Sequence, residues 1–331
     1  MRILVTGANG HLGNNVVRFF LNEKADVLAG VRKNANVSIL NGLNVEIVYL
    51  EYHDEQALTK SFQNVDIVVH VAAVFKRWAK NVKRDIIDEN IRLSKNIVNA
   101  AANAGVQKLI YVSSIAALND RELPMDERSW NSMHQRPYPY SKALSEKMAL
   151  QTSKERGLNI CSVLPAAIIG PYFCYLTPTL KIFADIADKK LPVLPPFNFL
   201  FVDVKDVAKG ISLAIKNGKN GERYILAFPK AYSVEDVFDI AIHRLPDLKL
   251  KKPARAPKLL VHFFAWLGET ASSITGKEPL MTVEDFKEFW NGKPSINPDK
   301  AKLELGFEAI PVEDSFIDTF RYYIKNKSAI G

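Results

Sequence analysis

The sequence predicts an α/β fold: a doubly wound parallel sheet with a smaller, mostly helical C-terminal lobe. Three observations support this prediction. Short apolar runs rich in Val and Ile alternate with helical stretches, the runs are apolar throughout instead of at every second residue, and a glycine-rich turn follows the first run directly. Strands that are apolar throughout and alternate with helices form parallel sheets covered on both faces.

The first half of the chain contains six predicted strands and four predicted long helices. The strands are expected at 3–6, 26–31, 45–50, 66–71, 109–113 and 159–164. The helices are expected at 11–24, 54–62, 82–104 and 138–156. This order is the βαβ rhythm of a dinucleotide-binding domain.

After Gly170 the rhythm loosens, and prolines stand at 192, 195 and 196. A strand-to-helix segment restarts at 201–208, and 221–226 is predicted to form one more strand. We therefore expect a discontinuous sheet domain, formed by residues 1–169 and 200–228. Residues 170–199 and 229–331 would form a second lobe over the carboxyl edge of the sheet, where open α/β sheets bind ligands.

Composition excludes several classes of protein. With 331 residues, 47% hydrophobic and 24% charged, the chain can bury a substantial core and is neither disordered nor fibrous. No apolar run approaches the ~20 residues of a membrane-spanning helix. The first apolar stretch is also too short for the core of a signal peptide, so a cytoplasmic location is expected.

Cysteine usage and net charge narrow the partners further. Two cysteines, Cys161 and Cys174, exclude a disulfide framework and argue against a cysteine metal site, so no metal is expected. The net charge of +8 fits an anionic ligand but does not by itself indicate nucleic acid, and none is expected as a partner.

One basic and aromatic segment in the second lobe allows two interpretations. Residues 245–260 carry five basic side chains against one acid, and the overlapping stretch 259–267 contains Phe263, Phe264 and Trp266. A basic stretch before an aromatic helix can touch a membrane surface. The alternative is a solvated face beside a helix packed on the lobe, which we expect because amphipathic helices are mostly core elements.

The turn at residues 6–13, Thr-Gly-Ala-Asn-Gly-His-Leu-Gly, connects the first strand to the first helix. Glycine permits a tight turn and lets a pyrophosphate approach backbone N–H groups, and the helix N-terminus favours the anion. The spacing is G-x-x-G-x-x-G. In this strand–turn–helix context it predicts dinucleotide binding. The predicted cofactor contacts of the turn are Gly7, Asn9, Gly10, His11, Leu12 and Gly13.

The end of the second strand bears on the choice of cofactor. NAD-binding chains usually place an acidic residue near here to bind the ribose. This chain has Arg32 and Lys33 and no carboxylate, and a 2′-phosphate would gain from both cations. NADP(H) is therefore favoured, with NAD(H) left open. The alternative is a solvent-facing pair in a loop.

Tyr138 and Lys142 stand four residues apart, hence on one helical face. A phenol has a pKa of about 10. A neighbouring ammonium and an oxidised nicotinamide lower that pKa, so such a tyrosine can protonate a carbonyl oxygen as hydride reaches the carbon. The spacing alone is not specific, because Tyr323 and Lys327 share it without a glycine-rich partner.

Ser113 and Ser114 end the fifth predicted strand, at the sheet edge where a cofactor would lie. A hydroxyl there can donate to the substrate carbonyl or to the developing oxyanion. Paired serines at a strand end are otherwise an ordinary entry into a loop.

Together these motifs resemble the extended short-chain dehydrogenase/reductase family, within the NAD(P)-dependent epimerase/dehydratase superfamily, over essentially the whole chain. The resemblance implies a Rossmann domain at 1–169 and 200–228 and a substrate-binding lobe in the remainder. It implies Ser114, Tyr138 and Lys142 as the catalytic residues, with Lys142 also binding the nicotinamide ribose.

Further cofactor contacts are implied only by the resemblance. Residues 69–73 are similar to a segment that lines the cofactor, and residues 164–171 to one that borders the nicotinamide. Glu51 stands where the family often has an adenine-contacting Asp, and Asn90 matches an asparagine that supports the proton network. The implied contacts are Glu51, Tyr52, Ala72, Ala73, Pro165 and Ile168.

Residues 126–130, Asp-Glu-Arg-Ser-Trp, together with Arg32 and the Leu-Pro at 164–165, resemble the dihydroflavonol 4-reductase-like branch. That branch implies NADPH-dependent reduction of a ketone or aldehyde. Residues 274–280 also resemble relatives that oxidise 3β-hydroxysteroids or are regarded as sugar epimerases, so the branch stays open.

We therefore predict an NADP(H)-dependent oxidoreductase that reduces a small carbonyl compound to an alcohol. One alternative is an NAD-dependent sugar-nucleotide epimerase or dehydratase. In that case residues 249–258 would bind the diphosphate group of the substrate. Another alternative is a 3β-hydroxysteroid-type dehydrogenase. A non-catalytic binding protein is a third class, although such proteins often lack the tyrosine or lysine. The substrate and the oligomeric state stay open, although relatives often form homodimers through two helices. Aromatic residues at 173, 175, 197 and 199 either line a substrate pocket or belong to the core.

Overall fold

The computed structural model describes residues 1–72, 79, 81–275, 283, 286 and 292–330. Its strands are β1 (Arg2–Thr6), β2 (Asp26–Val31), β3 (Glu46–Tyr49), β4 (Ile67–His70), β5 (Lys108–Val112), β6 (Ile160–Pro165), β7 (Ala167–Ile169), β8 (Asn198–Asp203), β9 (Arg223–Leu226) and β10 (Ala231–Ser233). Its α-helices are α1 (His11–Asn22), α2 (Glu55–Ser61), α3 (Glu89–Asn103), α4 (Pro137–Arg156), α5 (Pro178–Ala187), α6 (Val204–Asn217), α7 (Val234–Arg244), α8 (Lys258–Thr275) and α9 (Glu313–Asn326).

Seven strands form one parallel sheet in the order β3-β2-β1-β4-β5-β6-β9. The order runs outward from β1 in one direction and from β4 in the other, so the strand order reverses between β1 and β4. Ligands of such sheets bind outside the carboxyl ends of the strands at this point. The predicted α/β fold with a doubly wound parallel sheet is confirmed.

The strands are apolar throughout because successive side chains enter two different cores. Ile3 and Val5 of β1 lie in the core that contains α1 and α6, whereas Leu4 lies in the core that contains α2 and α3. Strand β4 alternates in the same way, with Val69 on the first side and Val68 on the second. A strand alternates between the two faces of its sheet, so burial of both faces requires an apolar residue at every position.

A second, three-stranded sheet in the order β10-β8-β7 carries the smaller lobe. Its core is rich in phenylalanine: the Phe183, Phe201 and Phe316 rings contact one another, and Phe320 contacts Phe183. Strand β8 belongs to this second sheet and not to the seven-stranded one. Helix α6, which follows β8 directly, nevertheless packs against α1 of the large sheet. The division into two domains at the residues given above stays a prediction.

Two of the differences from the element boundaries expected from the sequence concern helices near the site. The helix predicted at 82–104 is a π-helical turn over Lys83–Asp88, followed by α3. Helix α4 begins one residue early, at Pro137, because the first turn of a helix tolerates the missing N–H of proline.

Helix α8 does not bury its aromatic side chains, contrary to our expectation for residues 259–267. Phe263, Phe264 and Trp266 are each more than half exposed. In the part of the chain that the structure describes, no helix combines the length and hydropathy needed to cross a bilayer.

Candidate active site

The glycine turn forms an anion-binding cradle at the carboxyl end of β1. Gly7 has a φ of +65°, which side chains other than glycine rarely adopt. A Cβ on Gly13 would lie 2.1 Å from the Gly7 carbonyl oxygen, so the close crossing of turn and helix needs glycine there. Helix α1 follows with Gly10 as its N-cap and no side-chain cap. The N–H groups of its first turn are therefore available to an anion.

Thr6, at the start of this turn, is hydrogen-bonded to the segment after β4. Its Oγ1 accepts hydrogen bonds from the backbone N–H groups of Val71 and Ala72, each at 3.2 Å. The Thr6 Oγ1 also lies 2.9 Å from His70 Nδ1, within hydrogen-bonding distance. Burial, and secondarily the charge of Lys142, lowers the pKa of His70 to about 3, so this imidazole is neutral.

The implied contacts after β4 are placed only in part. Ala72 lies against the glycine turn, since a Cβ on Gly7 would be 3.1 Å from its Cα. Ala73 lies outside the described residues.

Tyr52 carries a buried hydroxyl close to the same turn. It lies beside the Gly7 backbone and the Thr6 side chain but reaches no partner in hydrogen-bonding geometry. Burial raises the pKa of Tyr52 to about 12. An unsatisfied donor at this position fits a ligand oxygen, because buried polar groups normally have a partner.

Arg32 and Lys33 are exposed at the end of β2, and Arg32 acts electrostatically on Tyr52. Within the described ranges, neither cation has a carboxylate within 4 Å. Glu51, at the adenine position, is exposed. The cradle therefore fits an adenine dinucleotide, and the free cations beside it fit a 2′-phosphate.

The segment after β7 crosses the start of α1, and its first residues, Gly170 and Pro171, belong to the stretch 164–171 that the resemblance places beside the nicotinamide. His11 Nε2 donates to the carbonyl oxygens of Gly170 and Pro171 at 3.1 and 3.2 Å, and burial lowers the pKa of His11 to about 4. The His11 side chain thus holds this segment, leaving its backbone N–H for the cradle. Tyr175 lies over Gly10, with its hydroxyl 3.0 Å from where a Cβ would stand.

The other predicted cofactor contacts differ in their burial and in their neighbours. Asn9 donates to the Asn36 carbonyl at 3.2 Å and lines a cavity of about 330 Å³ with Tyr175. Leu12 is buried in the sheet core. Pro165 ends β6, and Ile168 is half-buried in β7. Of the candidate pocket aromatics, Phe173 and Phe197 are buried in apolar clusters.

The two serines at the end of β5 have different environments. Ser113 is buried, and its Oγ donates to Glu146 at 2.7 Å. Ser114 is half-buried, and its Oγ accepts from the Ala116 N–H at 3.1 Å, which leaves the hydroxyl proton for another acceptor. Ser113 is thus bound to a buried carboxylate, whereas Ser114 is half-buried with a hydroxyl that can still donate.

Helix α4 places Tyr138 in its first turn and Lys142 one turn later. Lys142 is 4% exposed, and its Nζ donates to the Val112 carbonyl at 3.2 Å, at the end of β5. Burial lowers the pKa of Lys142 to about 8, although the nearby Glu146 raises it. Tyr138 is half-buried and acts electrostatically on Tyr111 of β5. The tyrosine and lysine thus lie where β5 ends.

A buried ion pair behind these residues was missed in the sequence. Arg223 at the start of β9 contacts Glu146 at 2.8 Å, and these side chains are 6% and 0% exposed. The same guanidinium donates to the carbonyls of Glu127 and Ser129 and stacks 3.5 Å from the Trp130 ring centroid. The 126–130 motif therefore anchors its loop to β9 and α4. The spacing from Lys142 could have indicated Glu146, whereas no local pattern points to Arg223.

Asn90 is hydrogen-bonded to helix α4, and its predicted part in a proton network stays a prediction. Its Nδ2 donates to Ser141 Oγ at 3.0 Å, and Ser141 donates to the Ile86 carbonyl at 3.3 Å, inside the π-helical turn. Such turns often occur at functional sites because they free backbone groups. Asn90 thus links the start of α3 to the helix that carries Tyr138 and Lys142.

The comparison with protein families decides the family. The model of the NAD dependent epimerase/dehydratase family matches residues 3–227, more than half of the chain. The chain belongs to this family. A nicotinamide dinucleotide is therefore the cofactor that this family membership indicates.

Individual relatives include both reductases and a sterol enzyme. "Sterol demethylase protein B" of Methylococcus capsulatus is 31% identical over 229 residues, 68% of this chain and 69% of the relative. A "Putative dihydroflavonol 4-reductase" of Synechocystis is 28% identical, and the alignment covers 96% of this chain and 93% of the relative. Yeast methylglyoxal/isovaleraldehyde reductase Gre2, solved with NADPH, matches with a TM-score of 0.78 and 21% identity over the whole of both chains. At that identity the likeness to Gre2 shows the fold alone.

Proposed function

We propose that the protein is an NADP(H)-dependent oxidoreductase that reduces a ketone or aldehyde to an alcohol. The observation that carries the proposal is the position of Lys142, buried at the end of β5 and one helical turn from Tyr138. The full-length likeness to a putative dihydroflavonol 4-reductase supports a carbonyl substrate.

NADPH, when bound, supplies the hydride that reaches the carbonyl carbon. Tyr138 donates its hydroxyl proton to the carbonyl oxygen, so that carbon and oxygen together receive the two hydrogens of the alcohol. The Lys142 ammonium lowers the pKa of Tyr138 and binds the nicotinamide ribose. Ser114 donates a hydrogen bond to the same carbonyl oxygen, keeps its own proton and holds the oxygen in place.

The preference for NADP(H) rests on Arg32 and Lys33, which lie exposed beside the cradle without carboxylate partners among the described residues. Exchange of Arg32→Asp should shift the ratio of kcat/KM for NADPH over NADH by roughly 100-fold, because a charge-assisted contact is lost and a repulsive one gained. Lys95→Asp, at an exposed cation on α3, is the matched control. An unchanged ratio in Arg32→Asp would show that the phosphate is read elsewhere.

A sterol-type alcohol or ketone is a second candidate substrate. The relative with 31% identity is named for sterol demethylation. The sugar-nucleotide alternative loses part of its support, because two of the basic residues proposed to hold the diphosphate, Lys252 and Arg255, are paired with Glu235 at 2.8 and 2.9 Å.

The decisive experiment is a panel of carbonyl compounds and alcohols, including 3β-hydroxysteroids, with NADPH and NADH followed by absorbance. We expect stoichiometric NADPH consumption with an aldehyde or ketone. Tightly retained NAD in the purified protein, with turnover of a sugar nucleotide and no net cofactor consumption, would overturn the proposal. We further propose the two-domain division given above, with the substrate held by the second lobe.

A further inference from the structure

Helix α8 presents an apolar face to solvent. Five large side chains between residues 259 and 267 are 44–85% exposed: Leu259, Phe263, Phe264, Trp266 and Leu267. The opposite side of the helix carries small residues that are buried, since Ala265 and Ser272 are each 4% exposed. This arrangement is the reverse of a helix that packs its apolar side on a core.

The exposed side chains form one patch. Leu259, Phe263 and Trp266 follow one another at helical spacing, and the Phe263 ring lies 5.9 and 6.1 Å from the rings of Phe264 and Trp266. Other exposed large apolar residues of the described chain, such as Tyr49, Leu303 and Ile324, are far apart in sequence and stand on separate elements. Contiguous apolar patches mark interaction sites, whereas single exposed residues do not.

Residues 249–258, which we call the basic segment, carry positive charge and precede this patch in the sequence. Lys252 and Arg255 are neutralised by Glu235 and Asp239 of α7, at 2.7 to 2.9 Å. Lys249, Lys251 and Lys258 differ, because no carboxylate lies within 4 Å of them in the part of the chain that the structure describes.

Two of these free lysines converge in space. Lys249 and Lys251, with Lys189, line a cavity of about 340 Å³ whose apolar side includes Phe238 and Leu250. Lys258 is the first residue of α8 itself. The only acid of α8 is Glu269, which is partly buried and lies beyond the aromatic patch. The segment and helix thus combine uncompensated cations with exposed Phe and Trp.

We propose that α8 and the basic segment dock on an anionic lipid bilayer, with the helix lying in the plane of the interface. Interfacial helices insert Trp, Phe and Leu at the level of the headgroups while Lys and Arg attract anionic lipids. Charge complementarity favours a bilayer over a second copy of this chain, because two copies of the same basic segment would repel each other. The docking needs no turnover, so it stands apart from the proposed reaction.

The test uses the full chain and sedimentation with two kinds of vesicle. One is phosphatidylcholine alone, and the other is equal parts phosphatidylcholine and phosphatidylglycerol. We expect at least ten-fold tighter binding to the anionic vesicles, weakened by added salt. The double variant Phe263→Glu/Trp266→Glu should lose at least ten-fold of this binding. The matched control Leu303→Glu/Ile324→Glu places the same charges at exposed apolar positions elsewhere and should bind like the parent.

The charged half of the surface is tested separately. Lys249→Glu/Lys251→Glu/Lys258→Glu should abolish the preference for anionic vesicles, and thermal unfolding checks that every variant is folded. Absence of binding to either vesicle by the folded parent would overturn the proposal. So would equal binding to both vesicles, or a dimer in light scattering that Phe263→Glu/Trp266→Glu dissolves.

Discussion

The same spacing of tyrosine and lysine occurs at Tyr138/Lys142 and at Tyr323/Lys327, but the two pairs differ in burial and in the charge of their neighbours. Lys142 is almost fully buried, and its hydrogen-bond partner is a backbone carbonyl. Lys327 has a side chain that is 56% exposed and lies 2.5 Å from the Asp188 carboxylate.

The tyrosines differ in the same sense. The Tyr323 hydroxyl donates to Asp188 at 3.1 Å, and burial together with that carboxylate raises the pKa of Tyr323. Tyr138 stands in the first turn of a helix whose next turn carries a buried ammonium. An anion beside a phenol opposes loss of its proton, whereas a cation favours it. The comparison shows that the spacing places two groups on one face, and that the environment decides between chemistry and structure.

The largest expected effect separates the two tyrosines. Tyr138→Phe should reduce kcat about a thousand-fold, because a general acid is lost. NADPH binding measured by fluorescence should be unchanged. Tyr323→Phe should keep kcat and lower the free energy of unfolding by about 1 kcal/mol, the value of one hydrogen bond. Equal kcat losses in the two variants would remove the distinction.

The lysines give the next largest effect. Lys142→Met should lower kcat/KM roughly 100-fold, because the cation proposed to assist proton transfer by Tyr138 is lost. NADPH should also bind more weakly, since the proposed ribose contact is lost. Lys327→Met, measured in the same kinetic assay, should match the parent. Full activity in Lys142→Met would contradict the role assigned to this lysine.

Glu146 tests the electrostatic part of the comparison through pH. Burial lowers the pKa of Lys142 to about 8, and the Glu146 charge opposes this decrease. Glu146→Gln removes the opposing anion, so the ammonium should be lost at lower pH. The basic limb of the kcat/KM profile should then move down by about one pH unit.

Two variants keep that result interpretable. Ser113→Ala removes a hydrogen bond to Glu146 without changing its charge, and Glu155→Gln removes an exposed anion of the same helix. Neither should move the basic limb. Glu146→Gln also leaves Arg223 buried without its anion, which costs about 3 kcal/mol, so its profile is recorded well below its own Tm. An unmoved limb in the folded variant would exclude the electrostatic role.

The smallest expected effect concerns Asp188, the anion of the structural pair. Burial raises the pKa of Asp188, but hydrogen bonds from Lys327, Lys190 and Tyr323 outweigh it, and the pKa lies below its ordinary value of 3.8. Its contribution is therefore present above that value and lost as the pH falls through the lower folded-state pKa. Asp188→Asn should cost about 1 kcal/mol at neutral pH and less in acid, without changing kcat. Denaturant unfolding at both pH values measures this, and a loss that grows in acid would be inconsistent with it.

Features that depend on residues close together in the sequence were predicted from it, whereas features that depend on distant residues were not. The glycine turn, the strand rhythm and the face shared by Tyr138 and Lys142 depend on residues within a few positions of one another. Arg223 and Glu146 are 77 residues apart and meet only because β9 pairs with β6. The crossing of Tyr175 over Gly10 likewise depends on packing at α1.

The orientation of α8 shows the same limit. Its composition is that of either a core helix or an interfacial one, and the choice between a buried and an exposed aromatic face is made by what packs beside it. The buried residues of α8, such as Ala265 and Ser272, are small instead.

The sequence by itself determined the α/β class, the cradle at Gly7 and Gly13 and the helical face of Tyr138 and Lys142, because backbone sterics and hydrophobic period are local properties. Only the tertiary structure decided which Tyr-x-x-x-Lys pair has a buried cation, which serine binds Glu146 and which face of α8 meets solvent. Burial and charge are sums over neighbours that the chain brings together from distant positions, so they exist only once it has folded.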